Sequence, residues 1–299
     1  MGYIQAIIIL GGVSVIAGLG VAILTGYTGL FSMGHAGFMA LGGYLATVLV
    51  KEYHFPLLVG LLLGGLFAGA CSFIIGIPAF RSKLRGDYFA IATLGFAEAV
   101  RLILNNVKQV GNVALGGAYG YMEIPLLDDL TRPIPGYIYV LVLALACLYL
   151  AQMFVNSQRG KNCIAVGQDE VAAQMMGVDL LRTKLTALFI SAFFCGVAGG
   201  ILGFFMGYLT PSFFGIARSS DLLAAVVFGG IQSLVGPVIT SLILVAVPQM
   251  LLQFAEYRLI IYGLLFVVVM VFRPQGLLGY YNLRFSFRGR TRPSMAKGK

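Results

Sequence analysis

Charged residues are scarce in this sequence, and their scarcity limits the kind of protein that it encodes. Only 10% of the 299 residues are charged and 59% are hydrophobic, whereas a soluble domain keeps roughly a quarter of its residues charged. No Asp, Glu, Lys or Arg occurs between Met1 and Val50. Because so few charges cannot keep a globular surface wet, the surroundings of this chain must be partly lipid.

The residue types that build metal and catalytic sites are also sparse. The two histidines, His35 and His54, lie far apart, and the four cysteines show no metal-ligand spacing. Disulfides are not expected, because the cysteines fall in apolar runs or in a predicted cytoplasmic loop. A membrane-embedded enzyme would need acids, histidines or cysteines clustered at one interface, and no such cluster stands out. We therefore predict no enzyme activity, no metal and no cofactor on this chain.

Long charge-free runs dominate what is present. A membrane-spanning helix needs about 20 mostly apolar residues, and several of these runs hold one or two such helices. The runs are Met1–Val50, Tyr53–Phe80, Pro133–Gln158, Leu185–Ala217, Leu222–Ala255 and Leu259–Phe272. The alternating pattern of outer-membrane barrel strands is missing. The sequence therefore predicts an all-α membrane protein, a polytopic helical bundle of about nine membrane segments with broken helices.

The basic residues predict how the chain crosses the bilayer. They concentrate in the loop Arg81–Asp87, in the stretch Asn156–Lys184 and in the C-terminal tail, whereas Lys108–Pro135 carries acids. By the positive-inside rule, the basic segments face the cytoplasm. The net charge of +9 thus indicates anchoring at the cytoplasmic face of an inner membrane and not nucleic-acid binding. We predict a transmembrane domain over residues 1–283 with a cytoplasmic loop at 156–184, followed by a basic cytoplasmic tail at 284–299.

The cytoplasmic loop contains the pattern of a short amphipathic helix. Asp169 and Glu170 suit the positive end of a helix dipole, and Gly177 is a typical stop signal. Between these ends, the apolar side chains that share one helix face are Val171, Ala172, Met175 and Met176. Such a face needs a partner, and the residues alone leave three open: the membrane surface, the bundle itself or another subunit.

Several motifs add a resemblance to a known family. Glu170-Val-Ala-Ala-Gln-Met-Met-Gly177 resembles the cytoplasmic coupling loop of ABC importer permeases. Further matching motifs follow in order along the chain: Leu24–Tyr44, Arg85–Gly95, Ala165–Leu185, Val227–Pro237 and Phe272–Leu277. Together they resemble permeases of branched-chain amino-acid ABC importers of the LivM type. The sequence departs from that pattern at Gly167 and Gln168, where a basic residue and an acid are expected.

The resemblance implies a heteromeric importer that works by alternating access. This chain would pair with a second homologous permease and with two ABC ATPase subunits, which hydrolyse the ATP, and a periplasmic solute-binding protein would deliver substrate. The residues implied in coupling to the ATPase are Asp169, Glu170, Val171, Ala172, Ala173, Met175, Met176 and Gly177. Two alternatives stay open: a urea or amide ABC permease, and an ion-coupled secondary transporter, which needs no cytoplasmic docking helix.

Small residues and one charged pair complete the predicted sites. Two segments rich in glycine predict either tight helix packing or a polar path lined by irregular backbone. Their candidate pore-lining residues are Ser32, His35, Gly37, Gly42, Gly43, Gly229, Gly230, Gln232 and Ser233. Glu98 and Arg101 stand three residues apart in the fourth predicted helix. Because a lone charge at membrane depth is costly, this spacing predicts a buried ion pair.

Overall fold

The computed structural model describes residues 3–82, 84, 86–110, 113–230 and 233–250 of the chain. Long helices alternate with groups of short elements along the described chain. The α-helices are α1 (Tyr3–Val21), α2 (His35–Tyr53), α3 (Leu57–Arg81), α4 (Asp87–Asn106), α5 (Leu127–Leu130), α6 (Gly136–Asn156), α7 (Gln158–Gln168), α8 (Glu170–Met175), α9 (Leu180–Met206), α10 (Ile216–Gly229) and α11 (Val235–Met250).

The predicted helical bundle is present in the described part of the chain. Four helical stretches there are long and apolar enough to cross a membrane: Ile4–Tyr27, Leu57–Arg81, Gly136–Asn156 and Leu180–Met206. The glycine-rich segment with Gly229 and Gly230 follows a short helix, since α10 is 14 residues long and ends at Gly229. The charge-free run Leu259–Phe272 and the tail lie outside the described residues. The all-α class is therefore confirmed, and the number of about nine membrane segments stays a prediction.

Glycines bring α2, α3 and α9 together at the centre of the bundle. A methyl group at Gly43 would lie 2.9 Å from the carbonyl oxygen of Gly199, and one at Gly42 would overlap the backbone of Gly196. A methyl group at Gly64 of α3 would likewise lie too close to the carbonyl oxygen of Gly42. Because burial against lipid contributes little to helix association, such backbone contact is a main source of packing energy in a membrane bundle.

A small folded segment covers one end of α2 and α9. It contains the two-stranded sheet β1 (Gln109–Val110) and β2 (Val113–Ala114), which pair antiparallel. Tyr121 and Leu209 exchange backbone hydrogen bonds of 2.8 and 2.9 Å. The Tyr121 hydroxyl also lies 2.9 Å from a carboxylate oxygen of Glu52, near the end of α2. The acidic, glycine-rich segment is thus a packed cap and not a loose loop.

Candidate functional site

The cytoplasmic loop of the prediction folds into two consecutive helices. The first, α7, covers Gln158–Gln168, and the Ser157 hydroxyl caps it by accepting a hydrogen bond from the Gly160 amide. Its inner face buries Cys163 and Val166. The sequence interpretation missed α7 because its glycines and polar residues hide the apolar positions, which recur only at a three-residue spacing.

The second helix, α8, is the predicted coupling helix in a shorter form. It covers Glu170–Met175, and the Asp169 carboxylate caps it by accepting hydrogen bonds from the Val171 and Ala172 amides at 2.8 and 3.0 Å. Gly177 has a φ of +82°, which ends the helix in the left-handed conformation that glycine adopts without strain. The predicted start and stop residues therefore lie where expected, although α8 has only six helical residues.

Four apolar side chains of this segment point into solvent. We call them the coupling face: Val171, Ala172, Met175 and Met176. Met175 and Met176 are 81% and 85% exposed, and Val171 is 58% exposed. Ala173 is instead buried and faces the bundle. Contiguous exposed apolar surface of this kind marks a site of contact with another surface, and methionines adapt well to such contacts.

An ion pair fastens α8 to the bundle. The Lys184 ammonium lies 2.7 Å from a carboxylate oxygen of Glu170, and the lysine side chain is 8% exposed. The same ammonium lies 5.9 Å from the ring centre of Phe80, near the end of α3. Sequence reasoning missed Lys184, because 14 residues separate the two charges and no helical spacing relates them. The pair links the coupling face to both α9 and α3.

The end of α7 contacts the point where α1 breaks. A methyl group at Gly167 would lie 2.6 Å from the carbonyl oxygen of Tyr27. Tyr27 ends a π-helical turn, Ala22–Tyr27, that follows α1, and such turns often occur at functional sites. Gly29, directly beyond, has a φ of +70° and lies against Gly167. A larger residue at position 167 would collide with this turn as it is arranged here.

The break between α1 and α2 is enclosed by protein, and hydroxyl groups satisfy its backbone. The Thr93 hydroxyl accepts a hydrogen bond from the Met33 amide at 3.1 Å, and Ser219 accepts one from the Ala36 amide at 3.0 Å. The predicted pore residues Ser32 and His35 are both fully buried there. Irregular backbone at membrane depth requires such partners, so this break is held by α4 and α10.

The other predicted pore residues lie at helix contacts. A methyl group at Gly37 would lie 2.8 Å from the Cα of Ala97 in α4, and Gly42 and Gly43 pack on α9. Gly229 and Gly230 end α10, and the buried Ser233 accepts a hydrogen bond from the Gly236 amide at 3.1 Å near the start of α11. Gln232 lies outside the described residues. These contacts agree with the packing interpretation, and the pore-lining role stays a prediction.

Comparison with known proteins places the chain in a family. The family model described as "Branched-chain amino acid transport system / permease component" matches residues 3–270. The chain belongs to this permease family. It is 33% identical over 291 residues to the high-affinity branched-chain amino acid transport system permease protein LivM of Escherichia coli K12, an alignment that covers 88% of this chain and 67% of that protein.

More distant relatives match smaller parts of this permease. The LivH permease protein of Salmonella typhimurium is 30% identical over 141 residues, which cover 46% of each chain. The ribose import permease protein RbsC of Haemophilus influenzae is 26% identical over 180 residues, or 60% of this chain and 51% of that protein. No solved structure matches the permease with significance.

The charged pair on α4 of this permease forms as its spacing predicts. The Arg101 Nε lies 3.0 Å from a Glu98 oxygen. The two side chains are partly buried in the single chain, at 33% and 30% exposed, and their full burial stays a prediction. The helix α4 packs on α2 and makes smaller contacts with α3 and α10, and the face away from them is uncovered. Gly95 on that open face has no atom within 4 Å of a Cβ position.

Proposed function

We propose that this permease is the transmembrane subunit of an ATP-driven importer in a bacterial inner membrane, and that it translocates branched-chain or related amino acids by alternating access. The single observation that carries the proposal is the exposed coupling face on a capped helix outside the membrane bundle. An ion-coupled transporter has no use for such a face, because it has no ATPase to contact. The proposal that the substrates are branched-chain amino acids is based on the relatives, which are permease proteins of branched-chain amino acid transport systems.

The coupling face is the surface through which an ATPase subunit moves this chain. Its four side chains give an apolar patch that a groove on the ATPase buries, and each fully buried side chain contributes on the order of 1–3 kcal/mol. Asp169 holds the first turn of α8, and the Glu170–Lys184 pair connects it rigidly to α9. The C-terminal tail then lies on the same cytoplasmic side.

Movement of the loop reaches the core through two contacts. One is the Glu170–Lys184 pair with the neighbouring Phe80 ring. The other is the contact between Gly167 and the π-helical turn that ends at Tyr27. The α1–α2 break is held in part by the hydroxyls of Thr93 and Ser219 and lacks the continuous hydrogen-bond ladder of a helix, so we propose it as the part of the core that rearranges. Re-gating of the predicted pore begins at this break.

A second, homologous permease completes the membrane part. The open face of α4 supports this, since a charged pair exposed to lipid is costly and a covering subunit or an aqueous path between two subunits removes that cost. LivM and LivH are both permease proteins of branched-chain transport systems, which suits a pair of unlike subunits. Two ABC ATPases and a periplasmic solute-binding protein complete the importer.

The test is to place one charge in the coupling face of the complete importer. Ala172→Asp and Met176→Asp should abolish substrate-stimulated ATP hydrolysis and uptake in proteoliposomes, because a buried charge costs as much as the apolar contacts contribute. Gln174→Glu is the matched control, since Gln174 is exposed on the same helix outside the coupling face.

The readouts separate docking from folding. All three variants should give the same thermal unfolding midpoint for the isolated permease, because the coupling face lies outside the bundle. Wild-type uptake and ATP coupling in both aspartate variants would show that α8 is only a surface element. Uptake driven by an ion gradient without ATP would favour the secondary transporter, and uptake of urea or amides in place of amino acids would favour that permease class.

A further inference from the structure

A groove with a basic rim and an aromatic floor lies between α7, α9 and α3. Its volume is about 720 Å³. The rim carries Arg159 of α7 and Arg182 of α9, and the floor is formed by Phe73 and Phe189. The two rings stack with their centres 5.6 Å apart. The groove therefore joins cationic and apolar surface in one concave site, next to the coupling loop but apart from the coupling face.

The depth of the groove matches the border between headgroups and hydrocarbon. Phe189 lies seven positions after Arg182 in α9, and this difference corresponds to about 10 Å along a helix axis. Arg182 lies in the first turn of α9, at its cytoplasmic end in the proposed topology. The floor continues into the outer face of α3, where Ile74 and Ile77 are exposed as lipid-facing residues would be. The aromatic floor is thus reached from the bilayer, and the arginines stand at its surface.

The polar groups of the rim suit an anion. In the described part of the chain, no carboxylate lies within ion-pair distance of Arg159. Arg182 pairs with Asp179 at 3.1 Å, but its side chain is largely exposed. Asn162 adds an amide beside the arginines. Two guanidinium groups against one carboxylate leave the rim net positive, and guanidinium groups bind phosphate through paired donors.

We propose that this groove binds an anionic phospholipid of the cytoplasmic leaflet, with the phosphate on Arg159 and Arg182 and an acyl chain on Phe73 and Phe189. Basic pockets between membrane helices on the cytoplasmic side suit such headgroups. The lipid wedges α7 against the ends of α9 and α3 and so fixes the base of the coupling loop. The inference rests on the proposed topology, which places the loop in the cytoplasm.

The test uses a photoreactive benzoylphenylalanine in place of Phe189 in the complete importer, reconstituted into vesicles of phosphatidylcholine and phosphatidylglycerol. Mass spectrometry of the crosslinked permease should show phosphatidylglycerol enriched over its share of the vesicle lipid. Each arginine near the membrane surface is expected to contribute about fivefold, so Arg159→Gln with Arg182→Gln should reduce the enrichment about 25-fold. Lys161→Gln, an exposed cation of α7 that does not line the groove, should leave it unchanged.

Three outcomes would overturn the proposal. Crosslinking of the two lipids in proportion to their abundance would mean ordinary contact with bulk lipid. Competition by glycerol phosphate, which has the headgroup chemistry without acyl chains, would mean a site for a free phosphate compound. Crosslinking to an ATPase subunit would mean that protein fills the groove. The Met176→Asp variant keeps the lipid enrichment even where uptake is lost, so failure of the lipid site and failure of the coupling proposal are distinguishable.

Discussion

The centre of the bundle and the coupling loop use opposite kinds of residue for contact. Where α2 meets α9, the contact residues are glycines. Because glycine has no side chain, the two backbones touch directly. At the end of α8, the large side chains of Met175 and Met176 are mostly exposed to solvent. The first arrangement is complete within one subunit, and in the proposed importer the second is complete only when another surface covers it. On that proposal, the part of the molecule that moves with a partner is the part with uncovered apolar area.

The largest expected effect is on the glycine contact. A Cβ at Gly199 would overlap the backbone of Met39, so Gly199→Ala forces α2 and α9 apart. Overpacking of this kind costs about 3 kcal/mol or more when neither backbone can yield. Gly95→Ala, on the open face of α4, is the matched control and should cost almost nothing. Thermal unfolding in detergent, followed by size-exclusion chromatography, measures both.

Equal unfolding midpoints for the two alanine variants would contradict this view of the core. They would mean that α2 and α9 are loosely apposed and that the close backbone approach carries little stability. The glycines would then be free to line a path, as the alternative sequence interpretation holds.

The sequence predicted the bundle better than the loop. Long apolar runs and basic loops are dictated by the bilayer, so the helices α1, α2, α3, α6, α9 and α11 lie largely within the charge-free runs. The helix α7 and the residue Lys184 were missed, because their roles depend on contacts between distant parts of the chain. For Glu98 and Arg101, spacing predicts the pair that forms, but it does not say which face of α4 is covered.

The next prediction concerns the ion pair that anchors the coupling helix. Lys184→Met removes the ammonium group that pairs with the Glu170 carboxylate, whereas Glu170→Gln leaves a buried ammonium group beside an uncharged amide. Each should lower stability by about 2 kcal/mol, and the double variant should cost less than the sum, because no unpaired charge then remains. A double-mutant cycle on unfolding midpoints measures the coupling between the two.

The same three variants also report on transport. If the pair passes the movement of α8 to α9, ATP hydrolysis in the assembled importer should continue while uptake per ATP falls. The exposed pair Arg132 and Asp129, which lies away from the coupling loop, is the matched control, and Asp129→Asn should change uptake little. Additive stability effects together with normal uptake per ATP would show that Glu170 and Lys184 act independently.

The smallest effect is expected at the break between α1 and α2. Ser219→Ala removes the hydroxyl that accepts the Ala36 amide hydrogen bond and leaves that amide buried without an acceptor, which costs about 1 kcal/mol or slightly more. Ser220→Ala, one residue further on α10, is the matched control, since the Ser220 hydroxyl is exposed and hydrogen-bonds only to its own helix at Ile216. Because side-chain hydroxyls hold the break, weakening it should clearly raise the rate of ATP hydrolysis in the absence of substrate. The unfolding midpoint should fall only slightly. An unchanged rate of ATP hydrolysis without substrate in Ser219→Ala would show that the break does not rearrange. The contact between Gly167 and Tyr27 would then be the point where gating begins.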